Sequence, residues 1–186
     1  MRHIPNALTI MRIILVAPIC YLLYVGDYET ALAVFFVAAA SDAIDGVIAR
    51  HFGWQSRLGS ILDPLADKIM MVCSYLTLGL IGLLPAWIIA LVLLRDALIV
   101  SGGVAYHYSF GRFRMEPSNI SKVNTFFQSL LAFVVVSAEV YLPIEAAYLA
   151  LLVYITAVTT VVSGAAYVRI WSLRALQSKR KLNVHE

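Results

Sequence analysis

Four aspartates are the residues of this chain best placed to do chemistry. Asp42 and Asp45 stand three residues apart, and Asp63 and Asp67 four apart; on helices each pair shares one face. With Arg50 and Gly59 taken as adjoining ends of two antiparallel helices, Asp42 and Asp67 lie about 12 Å in, and Asp45 and Asp63 about 6–8 Å in. The hairpin therefore sets four carboxylates at matching levels. Inside a bilayer each aspartate near the centre costs about 2.5–3.5 kcal/mol, so four deep, unpaired ones approach about 10 kcal/mol. Arg50 alone cannot neutralise them. Metal cations can, and an all-oxygen donor set favours hard ions, Mg²⁺ first with Mn²⁺ as the alternative. Four convergent carboxylates suit two such ions, which can clamp a phosphoryl group while a nearby base prepares an attacking hydroxyl. Gly46 and Gly59 lack side chains where a bulky ligand would approach. Arg50, one turn beyond Gly46, is placed to contact a phosphate or a base.

The elements that must position these residues are membrane helices. Of 186 residues, 61% are hydrophobic and only 13% charged, with a mean hydropathy of +0.84. A soluble domain carries about a quarter charged residues, so a surface wetted all round is excluded. Apolar stretches recur along the chain and predict six spans, roughly 5–25, 30–52, 59–83, 86–107, 119–140 and 144–171, each long enough to cross about 30 Å of hydrocarbon. The first lacks a small-residue cleavage site and is followed by further spans, so it reads as a mature helix and not a signal peptide. No linker or composition break divides residues 1–186, which predicts a single domain. The expected fold is an all-α integral membrane protein, its six helices enclosing a polar active-site cavity open to the cytoplasmic side.

Basic residues orient it. The turns holding Asp27 and Glu29, Gly82 to Pro85, and Glu139 and Glu145 contain no Lys or Arg, whereas Arg2, Arg50, Arg57, Arg112, Arg114, Arg169, Arg174 and Lys179 to Lys181 gather at the opposite ends. The positive-inside rule places both termini and the aspartates' ends in the cytoplasm, and that basic rim favours anionic headgroups. Trp54, Trp87 and Trp171 read as interface anchors. Cys20 and Cys73 fit no zinc or redox spacing and read as small apolar residues with no disulfide between them. His107, near a helix end, reads as interfacial, His3, His51 and His185 offer no ligand spacing, and no feature points to nucleic acid.

Asp42-x-x-Asp45-Gly46-x-x-Ala49-Arg50, then Gly59, Asp63 and Asp67 after gaps of eight, three and three residues, resembles the CDP-alcohol phosphotransferase signature at every fixed position. The six-span layout and the length are similar to that family too. The resemblance implies a CDP-diacylglycerol donor, release of CMP and a divalent metal pair. It implies that Asp42, Asp45 and Asp63 are metal ligands, and that Asp67 lies near the metals and serves as general base for the acceptor hydroxyl. Gly46, Ala49, Arg50 and Gly59 would line the CDP site. Pro5-Asn6-Ala-Leu-Thr9-Ile-Met-Arg12 resembles the family's first-helix start, where Asn6, Thr9 and Arg12 would border the nucleotide; capping and positive-inside anchoring also account for these three. The resemblance further suggests a homodimer, and a compact chain without a targeting extension suggests a bacterial inner membrane.

Within the family the chain looks most like the branch that makes anionic glycerophospholipids. Ser121-Lys122-Val123-Asn124-Thr125-x-x-Gln128 and Arg95-Asp96 resemble the CMP-forming cardiolipin synthases, whose acceptor is phosphatidylglycerol. Glycerol 3-phosphate, used by phosphatidylglycerophosphate synthases, is the alternative. Arg112, Arg114 and Lys122 would attract the phosphate of either acceptor, cytoplasmic anchoring being the other account of the two arginines. Arg95 and Asp96 fall near mid-membrane, as a structural pair or a substrate contact. An intramembrane metal or proton transporter is the rival class. It would distribute acids along a path through the bilayer, whereas here they gather at one depth. A lipid-binding protein without activity would keep the basic rim and need no aspartate cluster.

Overall fold

The computed structural model describes the backbone of residues 4–38, 59–110, 119–141 and 144–182, and side-chain surroundings at 10–38, 65–104, 119–141 and 144–172. Every described element is helical: α1 Ile4–Val25, α2 Tyr28–Ala38, α3 Gly59–Leu80, α4 Ala86–Phe110, α5 Asn119–Val140 and α6 Ala146–Leu182. Two turns are closed in the same way. At the end of α1, Asp27 N–H donates to the Leu22 carbonyl at 3.0 Å and Gly26 N–H to that of Leu23 at 3.3 Å. At the end of α3, Leu83 N–H donates to Leu78 and Gly82 N–H to Gly79, at 2.9 and 3.1 Å. Both are Schellman closures, which need a residue at positive φ. Gly26 and Gly82 supply it, at 81° and 80°. Asp27 then caps α2 by accepting the Thr30 N–H at 3.2 Å.

Three described helices are long and apolar enough to cross a membrane: Ala86–Val104, Asn119–Val140 and Ala146–Ser172. Ile10–Val25 and Tyr28–Ala38 are apolar but shorter over their described residues. α3 is 22 residues long but carries Asp63, Asp67 and Lys68 in its first half. The last helix does not stop where the apolar stretch does. It continues from the expected end at 171 to Leu182, a further 16 Å or so, because Ser172 to Leu182 contains helix formers and no Gly or Pro. Hydropathy marks the edge of the hydrocarbon, whereas backbone chemistry marks the edge of the helix.

Among the described residues many large apolar side chains are exposed and many polar ones buried. Ile14, Phe36, Leu80, Leu94, Phe126, Tyr154 and Val158 are exposed, while Arg12, Arg95, Asp96, Asn124, Gln128, Thr156, Thr160 and Ser163 are buried. That inversion suits lipid as the solvent, which accepts hydrocarbon and penalises an unpaired polar group.

The chain forms two compact units. The first comprises Met1–Pro85 with Ala132–Ile144. Within it α1 packs along α3, and Ile19, Leu23, Leu32, Leu78 and Val136 are among its buried apolar residues. An apolar hollow of about 20 Å³ remains between α1, α2, α3 and the end of α5, with Ser74 its one polar lining residue. Its α1 lining, Ile19 and Leu23, lies two to three turns beyond Arg12, so the hollow is not the expected polar cavity. The residues that would form that cavity fall largely outside the described side chains. Cys20 and Cys73, read from sequence as small apolar residues, lie near one another across α1 and α3, both thiols free.

The second unit comprises Ala86–Leu131 with Glu145–Glu186, and α4 packs on α6. A Cβ built on Gly102 would lie 3.2 Å from Trp171 Nε1, so Trp171 packs into the α4–α6 seam as well as standing near a span end. Trp87 and Tyr154 meet near the other end of these helices, ring centroids 6.0 Å apart.

Candidate active site

Asp67 lies two turns into α3, on a helix that packs along α1. Its Oδ1 accepts from Arg12 Nη1 at 2.6 Å, a short, charge-assisted bond. The partners are unlike in exposure: Arg12 is 4% exposed and Asp67 53%. Both are the eighth residue after the first of their helices, α1 beginning at Ile4 and α3 at Gly59. Each is therefore about 12 Å along its helix. A buried guanidinium among apolar helices requires an anion beside it, and Asp67 supplies one. The sequence reading placed Arg12 at the nucleotide and Asp67 at the metals; it did not foresee their pairing. The equal offset from two helix starts was the available signal.

Asp42, Asp45, Gly46, Ala49, Arg50, Arg112 and Arg114 lie outside the described residues. The backbone of Asn6, Thr9, Gly59 and Asp63 is helical, but their side-chain surroundings also lie outside. Among the described residues no three His, Cys, Asp or Glu side chains converge as a metal site requires. Asp67 is thus the one member of the aspartate set with described surroundings. What it offers agrees with a hard cation: a carboxylate on the exposed side of its helix, in a set whose donors are all oxygen. Lys122, in the first turn of α5, is exposed.

A second polar cluster occupies the other unit. Arg95, 7% exposed, donates through Nη1 to Asp96 Oδ1 at 2.9 Å, and through Nη2 to the hydroxyls of Ser121 and Ser163, each at 2.6 Å. Its guanidinium carbon lies 5.8 Å from the Tyr167 ring centroid, within cation–π range. One arginine thereby ties α4 to α5 and α6. Further along the seam, Asn124 Oδ1 accepts from Thr159 at 3.1 Å and Thr160 at 2.8 Å, and Gln128 Nε2 approaches Thr160 Oγ1 at 3.5 Å. Ser121, Asn124 and Gln128 recur at helical spacing on α5, as Thr156, Thr160 and Ser163 do on α6. Hydroxyl and amide side chains of this kind join helices where no water competes. Of the two readings left open for Arg95 and Asp96, the geometry is that of the structural pair.

Helices of membrane length, exposed apolar side chains and an aspartate two turns into α3 beside a buried arginine define a helical, membrane-type protein. The chain belongs to the CDP-alcohol phosphatidyltransferase family, whose profile it matches over residues 2–166. It is 38% identical over 181 residues to a fusion protein of Schizosaccharomyces pombe named cardiolipin synthase (CMP-forming) / mitochondrial hydrolase, a match covering 88% of this chain and 30% of that protein. It is 34% identical over 180 residues to human cardiolipin synthase (CMP-forming), covering 88% of this chain and 60% of the human protein. Against the chloroplastic CDP-diacylglycerol–glycerol-3-phosphate 3-phosphatidyltransferase 1 of Oryza sativa subsp. japonica it is 31% identical over 183 residues, covering 89% of this chain and 56% of the rice protein. The match thus spans between 30% and 60% of the length of these relatives.

Proposed function

We propose that this protein transfers a phosphatidyl group from CDP-diacylglycerol to an acceptor hydroxyl with release of CMP, and that the acceptor is phosphatidylglycerol, giving cardiolipin. The observation that carries the reading is the aspartate spacing within a chain of this family, its last member held by a buried arginine at 2.6 Å. In the reaction the acceptor hydroxyl oxygen bonds to the phosphatidyl phosphorus. The bond from that phosphorus to the oxygen of the CMP phosphate breaks, and CMP leaves with the electron pair. Asp67 takes the hydroxyl proton. Asp42, Asp45 and Asp63 would hold the divalent ions, Mg²⁺ by donor type, with Asp67 beside them. Bound there, the ions supply positive charge against the phosphates. Gly46, Ala49, Arg50 and Gly59, with Asn6 and Thr9, would line the CDP site, while Arg112, Arg114 and exposed Lys122 would draw in the acceptor phosphate. In this reading residues 1–186 act as one domain of six spans, termini and site on the cytoplasmic side of a bacterial inner membrane.

Glycerol 3-phosphate is the second reading, favoured by the rice relative's name. The identity of Arg95, Ser121, Asn124 and Gln128 supports the cardiolipin reading only through likeness, since these side chains bond across helices. Purified protein is incubated with CDP-diacylglycerol and Mg²⁺, with either acceptor supplied alone, and the lipid product is identified. Cardiolipin formed only with phosphatidylglycerol is expected; phosphatidylglycerophosphate formed only with glycerol 3-phosphate would overturn the acceptor and keep the reaction. Asp42→Ala and Asp63→Ala are each expected to lose metal-dependent CMP release, and retained turnover in either would remove it as an essential ligand.

A further inference from the structure

Ser74 brings a hydroxyl to an apolar place. It is 3% exposed and lines the hollow of the first unit, and its Oγ has no hydrogen-bond partner among the described residues. Hydroxyls on helices commonly turn back to a carbonyl of the preceding turn, as Thr77 does to the Cys73 carbonyl at 2.9 Å. A buried hydroxyl left unbonded is costly, so Ser74 calls for an acceptor. Water meets that need poorly, because it is held by about three hydrogen bonds and the rest of the lining is apolar. What fits the lining is a group that is mostly hydrocarbon and carries one acceptor oxygen. Phe133 lines the hollow and is also 44% exposed, so the lining reaches the outer surface there.

Depth identifies the layer of lipid that this lining meets. α1, α3 and α5 end at Val25, Leu80 and Val140, and α2 begins at Tyr28. Counted from those ends, Leu23 and Leu78 lie about 3 Å in, Leu32 and Val136 about 6 Å, and Ile19 and Ser74 about 9 Å. Four helices thus put the lining at one depth. Tyr21, Tyr24 and Tyr141 are exposed at the same ends, where amphipathic rings mark a membrane interface. The interfacial layer is about 5–8 Å thick on each side, so Ser74 stands where lipid ester carbonyls give way to the first methylenes. Asp27, Glu29 and Glu139 are exposed at these ends too, and no Lys or Arg occurs at 13–49, 69–94 or 123–168. Carboxylates without basic neighbours attract an ammonium and repel a net anion.

We propose that the Ser74 hollow is a seat for a diacyl phospholipid with an ammonium headgroup. Ser74 donates to one ester carbonyl, the first methylenes of that chain enter among α1, α2, α3 and α5, and Asp27, Glu29 and Glu139 draw the ammonium. The seat lies seven residues beyond Asp67 on α3, about 10 Å further along the helix, and is separate from the acidic end.

The test titrates the full chain in detergent micelles with dioleoyl phosphatidylethanolamine, its diether analogue or dioleoyl phosphatidylserine, and reads the first bound lipid by native mass spectrometry. None of the three carries a headgroup hydroxyl, so binding is read apart from phosphatidyl transfer. The diether, which lacks both ester carbonyls, is expected to bind about three- to tenfold more weakly than the diester. Phosphatidylserine, net anionic, is expected to bind at least about threefold more weakly than phosphatidylethanolamine. Ser74→Ala should bring the diester down to the level of the diether and leave the diether unchanged. Glu29→Gln with Glu139→Gln should narrow the preference for the ethanolamine lipid over the serine lipid. Equal binding of diester and diether by the wild type overturns the seat, and that comparison needs no variant to fold. Unchanged diester binding in Ser74→Ala, or an equal loss of diester and diether, overturns it as well. Phosphatidylserine binding as tightly as phosphatidylethanolamine overturns the choice of an ammonium headgroup.

Discussion

Replacing Arg95 by Leu removes the charge that joins three helices, and the size of the loss follows from its contacts. Asp96, 7% exposed, would lose a counter-ion 2.9 Å away. Breaking a buried ion pair from one side costs about 3–5 kcal/mol, because the surviving charge stays desolvated. Two hydroxyl contacts at 2.6 Å are lost as well, each worth about 0.6 kcal/mol between helices in a bilayer. Serine hydroxyls on helices recover part of that by bonding to carbonyls of their own helix. The single variant is therefore expected to lose about 3–6 kcal/mol. Arg95→Leu with Asp96→Leu removes both buried charges and should lose at least about 2 kcal/mol less than Arg95→Leu alone. Titration with sodium dodecyl sulfate in mixed micelles, followed by tryptophan fluorescence and helical circular dichroism, gives the four free energies of a double-mutant cycle. A loss below about 1 kcal/mol for Arg95→Leu, or a double variant as unstable as the sum of the singles, would refute the account of Arg95 as a paired, three-helix tie.

Two further outcomes test the packing. Gly102→Ala should change stability by less than about 1 kcal/mol, the helix-propensity gain over Gly opposing a Cβ that would sit 3.2 Å from Trp171 Nε1. Gly102→Val should lose about 1–3 kcal/mol by overpacking and shift the Trp171 emission; equal stability and emission in both variants would contradict the close approach of α4 and α6. Cys20 and Cys73 form a natural reporter of the α1–α3 contact. A short thiol-to-thiol cross-linker should join them within one chain, read by mass spectrometry; alkylation at both cysteines without cross-linking would place the helices wrongly.

Much of the helical layout was legible before any coordinates, for a local reason. Apolar runs and turn residues act over a few positions, so α3, α4 and α5 begin at the expected residues 59, 86 and 119, and the turns fall at Gly26 and Gly82. The sixth span, expected at 144–171, is matched by the apolar stretch Ala146–Ser172, while the helix itself continues to Leu182 because its backbone preference outlasts its hydropathy. The family was legible as well, through fixed residues at fixed gaps, and the profile over residues 2–166 bears it out. The roles assigned to Asp42, Asp45, Gly46, Ala49 and Arg50 rest on that likeness, these residues lying outside those described.

Residue types and spacing alone determined that acids recur on shared helix faces and that basic residues gather at one set of ends. Only the tertiary structure decided which side chains meet. Arg12 and Asp67 are 55 positions apart, Arg95 and Ser163 68 apart, and periodicity within one helix says nothing about the partner that helix will face. The α5 residues Ser121, Asn124 and Gln128, which in sequence resemble the cardiolipin synthase version, find hydrogen-bond partners on α4 and α6. In a low-dielectric interior every buried polar group needs a partner, and the partner is chosen by how the helices pack.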